Sequence, residues 1–116
     1  MVLVAKQRLM TSGQLRWWFH ALNRRYWGGR LPIPWQIGFR RNLDGLGSTL
    51  FFKTQSRPNA IDLSIRHELR GSIHHTLIVL LHEMAHIAHP KAREHGPAHR
   101  REICRLFRAG AYARLL

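Results

Sequence analysis

Cysteine and acidic residues are scarce in this sequence. It contains one cysteine, Cys104, which excludes an intrachain disulfide and a cysteine-rich zinc ribbon. No run of about 18 apolar residues occurs, so the sequence predicts neither a transmembrane helix nor a membrane partner. Residues 1–14 begin apolar and then become charged, which is the reverse of the order in a secretory signal. These absences predict an intracellular, reducing location in the cytoplasm, associated with the nucleoid in a prokaryote or nuclear in a eukaryote.

The shortage of acidic residues leaves a large positive charge. There are 6 Asp and Glu residues against 19 Lys and Arg, a formal net charge of +13, and most of the basic residues are arginine. The planar guanidinium group matches phosphate geometry, so the excess predicts a polyanionic partner such as DNA or RNA. The alternative is a solvated surface that resists aggregation. Two groups of arginines are predicted to bind nucleic acid: Arg16, Arg24, Arg25 and Arg30 on and after the first helix, and Arg100, Arg101, Arg105 and Arg108 on the last helix.

No base-reading motif accompanies these arginines, so we expect DNA binding to follow charge and shape rather than sequence. Trp17 and Trp35 could stack on unpaired bases and favour single strands. The same two residues could equally belong to the core, which leaves the preference between single- and double-stranded DNA open.

The length of the chain predicts one domain. Its 116 residues, of which 45% are hydrophobic, suffice for one core but leave little room for a second. We expect the core to occupy residues 11–109 and the protein to be a monomer.

The first half of the chain predicts one helix followed by strands. Thr11 and Gln14 have the spacing of a capping box, and the apolar residues that follow recur at helical spacing. A helix is therefore predicted over residues 11–27, ended by Gly28. Alternating apolar residues between 35 and 66 predict about three short strands in a small antiparallel sheet.

The second half of the chain predicts two more helices, which completes an α+β fold. Residues 72–88 are apolar almost all round, as is typical of a helix buried at the centre of a domain. A last helix is predicted to begin near Pro97, a residue favoured at the first helical position. Its buried side is predicted to contain Ile103, Leu106 and Phe107.

The central helix carries the sequence His-Glu-Met-Ala-His at residues 82–86. Residues four apart on a helix lie one turn apart on the same face, so His82 and His86 can converge on one metal ion. The ring nitrogens of histidine bind zinc at about 2.1 Å. Glu83 leaves the helix beside them and is predicted to act as the general base that takes a proton from water. The alternative is a pair of core histidines with ordinary hydrogen bonds.

A catalytic zinc site needs a third protein ligand. The candidates are His74, His75, His89, His95, His99 and Glu94. The first three lie about two turns or more from His82 along the helix, roughly 10 Å away, and fit poorly. His95 follows a turn that brings the chain back, so it is the predicted ligand, with Glu94 and His99 as alternatives.

Four ordered segments resemble the SprT-like (Spartan-type) metallopeptidase family. They are Tyr-Trp-Gly-Gly-Arg-Leu-Pro at 26–32, Ile-Asp-Leu-Ser at 61–64, Leu-Leu-His-Glu-Met-Ala-His at 80–86 and His-Gly-Pro at 95–97. The resemblance covers residues 15–107. It departs from the family at Ala98 and His99, where Glu-Phe is usual, and it lacks the cysteine-containing zinc ribbon of many bacterial relatives.

The resemblance implies a zincin-like fold with the metal at the active-site helix. It implies that His82, His86 and His95 bind one zinc ion and that Glu83 is catalytic. The best-known family members are similar in being DNA-binding proteases that degrade proteins crosslinked to DNA. The sequence therefore predicts a zinc-dependent endopeptidase whose substrate is a DNA-associated protein. The alternatives are a non-catalytic, zinc-stabilised nucleic-acid-binding module and a basic domain without metal.

Overall fold

The computed structural model describes residues 8–52, 60–91 and 95–115. This part of the chain forms an α+β fold with three helices and one three-stranded sheet. The elements, in chain order, are α1 (Ser12–Trp27), β1 (Gln36–Arg40), β2 (Gly47–Phe52), β3 (Ala60–Arg66), a short 3-10 helix (His67–Gly71), α2 (Ile73–Ala88) and α3 (Pro97–Arg108). The three predicted helices and the three predicted strands are thereby confirmed, whereas the 3-10 helix was not predicted.

Helix α1 begins and ends as its sequence predicts. The Thr11 hydroxyl accepts a hydrogen bond from the Gln14 backbone N–H (3.1 Å), and the Gln14 side chain accepts one from the Thr11 N–H (2.8 Å). This capping box satisfies two of the N–H groups that a helix start leaves without partners. Gly28 ends the helix in the left-handed conformation, with φ of 60°.

The sheet is mixed. The prediction of an antiparallel sheet is therefore wrong for the pair β1 and β3 and right for the pair β2 and β3. The strand order is β1-β3-β2, and β3 runs antiparallel to β2 but parallel to β1. Apolar alternation indicates which face of a strand is buried, but it carries no information on strand order or direction. β3 takes the centre because its apolar residues Ile61, Leu63 and Ile65 are the most completely buried in the sheet.

Helix α2 packs across one face of this sheet at the centre of the core, as predicted. Leu80, Leu81, Met84 and Ala85 are fully buried, and α2 contacts the other two helices and strands β2 and β3. The surrounding apolar side chains fix the helix rigidly, and with it the side chains at 82, 83 and 86. Across the described ranges, no helix is long and apolar enough to cross a membrane.

Helix α3 begins at Pro97 as predicted, but one residue of its predicted buried side is wrong. Leu106 is fully buried and Ile103 is half-buried, whereas Phe107 is 62% exposed. Consecutive residues on a helix point about 100° apart, so only one of the neighbours 106 and 107 can face the core. Tyr112, which follows the helix, fills the core there instead.

Candidate metal centre

Four histidines meet beside the C-terminal half of α2. His82 and His86 come from α2, His95 from the turn before α3, and His99 from the first turn of α3. The ring centres of His82, His86 and His95 lie 5.1, 4.9 and 5.1 Å apart. Those of His99 lie 4.6 Å from His82 and 4.0 Å from His86. Residues separated by up to 17 positions in sequence thus form one cluster.

Three histidines of this cluster lie close enough together to bind a metal ion. His82, His86 and His99 each offer a ring nitrogen, and these three atoms lie within 4.8 Å of one another. His95 also reaches the cluster, because its Nε2 lies 2.9 Å from Nε2 of His82. Two candidate sets of three follow. The set completed by His99 meets this distance, whereas His95 is joined to the pair through its nitrogen contact with His82.

His99 is held firmly in the core. The residue is only 3% exposed. Its Nε2 donates a hydrogen bond of 3.1 Å to the backbone carbonyl oxygen of His82. Its ring stacks on His86 with an angle of 24° between the planes. His99 was an alternative third ligand in the sequence, but no local pattern indicated that its ring would stack on His86.

His95 occupies a less common backbone conformation at the surface. Its φ is 55°, in the left-handed region that non-glycine residues seldom adopt. This conformation turns the chain into α3 and directs the exposed His95 ring back to His82. The other sequence alternative, Glu94, lies outside the described residues.

The remaining histidine candidates lie elsewhere. His74 and His75 are exposed in the first turn of α2. Nε2 of His89 lies 2.8 Å from Oε2 of Glu102, so this ring is committed to a carboxylate on α3.

Glu102, which sequence reasoning missed, joins all three helices. Its Oε1 accepts hydrogen bonds from Nε1 of Trp27 (3.1 Å) and from Nε of Arg105 (2.8 Å). Burial opposes ionisation of this carboxyl, but the hydrogen bonds from His89 and Arg105 outweigh it and lower the pKa of Glu102. The resulting carboxylate fixes α3 against α1 and α2, and so helps to place residues 95 and 99 beside α2.

Glu83 is a buried carboxylate that faces strand β2. The residue is 6% exposed, and its Oε1 accepts a hydrogen bond of 2.9 Å from the hydroxyl of Thr49. The backbone of β2 comes unusually close here. A Cβ atom on Gly47 would lie 2.7 Å from Cγ1 of Val79 and 3.1 Å from Cγ of Glu83. A glycine inside a strand signals such an approach, and this signal could have identified Gly47 from sequence.

Burial favours the neutral form of two rings of the cluster, those of His86 and His99. It lowers the pKa of His86 to about 4, with smaller contributions from His99, His82 and His95. Burial also lowers the pKa of His99, although the hydrogen bond to the His82 backbone acts in the opposite direction. Neutral imidazole has the free lone pair that a metal ion requires.

An open cleft of about 780 Å³ runs past the cluster between β2 and α2. Strand β2, an edge strand of the sheet, and the loop before it form one wall. The other wall carries His82, Glu83 and His86 of α2, with His89, Pro90 and His95 beyond them. A polypeptide laid in this cleft would pass both the histidines and the carboxylate.

The arginines predicted to bind nucleic acid lie on the surface, with one exception. Arg24, Arg25, Arg30, Arg100, Arg101, Arg105 and Arg108 are exposed, and Arg16 is half-buried. Among the described arginines, only Arg66 and Arg105 pair with a carboxylate, on Glu68 and Glu102 respectively. Most of the positive charge of the described surface is therefore available to an anionic partner.

Comparisons with protein families, with curated proteins and with solved structures found no match to this chain.

Proposed function

We propose that this protein is a zinc-dependent endopeptidase, with His82, His86 and His95 as metal ligands and Glu83 as the general base. The observation that carries the proposal is the nearly equilateral triangle of ring centres, with sides of 5.1, 4.9 and 5.1 Å. A histidine ring centre lies about 3 Å from a zinc ion bound through Nε2, so tetrahedral angles separate the ring centres by roughly 5 Å. The three rings thus have the spacing of a three-histidine zinc site.

The orientation of the rings favours His95 over His99 as the third ligand. Two imidazoles that bind one ion must both point to it, with the ion close to each ring plane at about 2.1 Å from each nitrogen. The stacked rings of His86 and His99 are nearly parallel, 4.0 Å apart, and would have to rotate to satisfy this condition. The ring planes of His86 and His95 differ by 46°, so these two rings are not stacked.

The position of Glu83 suits proton transfer rather than metal binding. Zinc bound by the histidines would polarise the scissile carbonyl and lower the pKa of the attacking water. Glu83 would accept the proton of this water and pass it to the leaving amine nitrogen. The hydrogen bond from Thr49 would orient the carboxylate for both transfers.

The substrate would bind as an extended segment along β2. Among the described residues this strand is at the edge of the sheet, so its outer backbone groups would pair with an added strand. Phe51 on the same strand is 44% exposed and borders the cleft. Backbone pairing would bind many sequences, and this apolar side chain would favour apolar residues in the substrate.

The test is cleavage of an unfolded protein such as casein by the wild type and by Glu83→Gln. We expect the variant to keep its zinc and its fold while cleavage falls at least about 10²-fold, a typical general-base contribution. Chelation should abolish wild-type cleavage and added zinc should restore it. Equal cleavage by the two proteins would contradict the role assigned to Glu83.

The second candidate function is a non-catalytic, zinc-stabilised nucleic-acid-binding module. The fourth histidine favours it, because a structural zinc site has four protein ligands and no open position. The module would need His99 to rotate into the site and would leave Glu83 without a role. With a four-histidine site, Glu83→Gln would bind zinc as tightly as the wild type and keep its fold. Neither the wild type nor Glu83→Gln would cleave casein.

We further propose that the substrate proteins are bound or crosslinked to DNA, in the cytoplasm or nucleus. The net charge of +13 and the unpaired surface arginines support this proposal. If about four phosphates are neutralised, log K should fall with log salt concentration at a slope near −3 to −4. Fluorescence anisotropy of a labelled oligonucleotide measures the slope, and a flat dependence would mean that the charge serves solubility.

A further inference from the structure

A second concavity lies on the other side of the sheet from the metal centre. It has a volume of about 400 Å³ and is formed by strands β1 and β3 and by Arg16 of α1, with no lining residue in common with the cleft. Gln36 pairs with Asp62, and Asp62 neighbours the fully buried Leu63 on the same strand. Because adjacent strand residues face opposite ways, Gln36 and Asp62 point away from the core and from α2.

Asp62 lines this concavity, and one of its carboxylate oxygens has no hydrogen-bond partner among the described residues. Its Oδ1 is buried, yet it accepts no hydrogen bond from any described residue. The residue as a whole is half-buried and lines the concavity. Binding of a ligand to Oδ1 would require the carboxylate to rotate and bring this oxygen to the opening. A buried carboxylate oxygen without a donor is costly, and a ligand N–H group would remove that cost.

The concavity also presents cationic and aromatic groups. Arg16 and Arg40 line it together with Trp35, which is 45% exposed. Neither arginine forms an ion pair with a carboxylate among the residues described, Asp62 included. The two arginines in the same concavity disfavour a purely cationic ligand. The groups instead fit a ligand that combines N–H donors, a flat aromatic ring and a negative charge.

We propose that this concavity binds one nucleotide whose base carries an exocyclic amino group. The amino group would donate to Asp62, the base would lie against Trp35, and the phosphate would be held by Arg16 or Arg40. The nucleotide is either free or an unpaired residue of a nucleic-acid strand, since a base inside a duplex cannot reach an indole ring in a concavity. If the nucleotide belongs to a strand, the inference rests on the DNA partner proposed above and names one contact between that DNA and the protein.

The carboxylate makes the site selective among bases. Cytosine offers an amino donor where thymine presents a carbonyl oxygen, which a carboxylate repels. We expect oligo(dC) of about ten nucleotides to bind about tenfold more tightly than oligo(dT) of equal length, at equal salt concentration. Charge alone would give the two strands equal affinity, because they carry the same phosphates.

The experiment measures binding of both labelled strands to the wild type and to three variants by fluorescence anisotropy. Asp62→Asn should bring the dC-to-dT affinity ratio close to one, since an amide can also donate to the thymine carbonyl. Glu68→Gln is the matched control, because it removes one negative charge from an exposed site outside the concavity and should leave the ratio unchanged. Arg16→Gln should weaken both strands about equally. Zinc content and circular dichroism would verify the fold of each variant.

Competition with free dCMP and dTMP identifies the source of the nucleotide. Displacement of oligo(dC) by dCMP but not by dTMP indicates a mononucleotide site, whereas no displacement by either indicates a site that needs the strand. Equal affinity of wild type for the two strands, with a steep salt dependence, would overturn the inference but leave the DNA partner in place. Absence of binding by every strand and mononucleotide would overturn both, whatever the casein assay shows.

Discussion

The hydroxyl of Thr49 on edge strand β2 donates a 2.9 Å hydrogen bond to Oε1 of Glu83 on α2. This contact joins the wall that would bind the substrate to the carboxylate that would move the proton. The contact spans 34 positions of sequence and depends on the close approach of β2 to α2 at Gly47.

Removing the Thr49 hydroxyl should impair catalysis without removing the metal. We expect Thr49→Val to lower kcat about tenfold or more, because a hydrogen bond to a charged group contributes about 1.5–3 kcal/mol. KM and zinc content should change little. Thr49→Ser keeps the hydroxyl and should retain most activity; loss of activity equal to that of the valine variant would assign Thr49 a packing role instead.

The two sets of histidines make opposite predictions about zinc. His82→Ala and His86→Ala should lose most bound zinc. His95→Ala should weaken zinc affinity at least about tenfold, because even the loss of a hydrogen-bond partner of a ligand typically costs that much. His99→Phe keeps an aromatic ring against His86 and should retain zinc. His89→Ala is the control outside the cluster and should also retain zinc.

Elemental analysis and competition with a chelator measure the zinc content and zinc affinity of these variants. Retention in His95→Ala together with loss in His99→Phe would assign the third ligand to His99.

A side chain at position 47 should destabilise the fold. Gly47→Ala places a Cβ 2.7 Å from Val79 and should lower the free energy of unfolding by about 1–3 kcal/mol, the usual cost of overpacking. Gly13→Ala is the control, because its Cβ meets only the Thr11 hydroxyl at 3.7 Å within α1. Urea unfolding of the metal-free proteins would measure both. An unchanged midpoint for Gly47→Ala would show that β2 can move away from α2.

The metal-free protein should lose stability in mild acid. The pKa of His86 is lowered from 6.5 to about 4 in the folded chain, chiefly by burial. Between these values the unfolded state binds more protons, so the free energy of unfolding should fall as the pH drops from about 6.5 toward 4. Chemical unfolding in chelator at several pH values tests this. His86→Gln should show a shallower pH dependence; an equally steep one would place its origin in other groups.

Local sequence patterns were sufficient for the helices. The capping box of Thr11 and Gln14, the glycine at 28 and the proline at 97 act within one or two turns, and their helix boundaries are confirmed. The His-Glu-Met-Ala-His spacing likewise places His82 and His86 on one face of α2, since helix geometry alone decides it.

Local sequence patterns could not predict contacts between distant segments of the chain. The insertion of β3 between β1 and β2, the burial of Leu106 rather than Phe107 and the unsatisfied Asp62 depend on which surfaces meet. The sequence predicted the return of His95 toward α2, but the stacking of His99 on His86 depends on packing of α3 through Glu102, and the hydrogen bond of Thr49 to Glu83 on packing of β2. The energy of such contacts is shared between residues tens of positions apart. A one-dimensional pattern therefore predicts the two histidines of α2 and the carboxylate beside them as site residues, while only the packed chain brings the other two histidines and Thr49 to them.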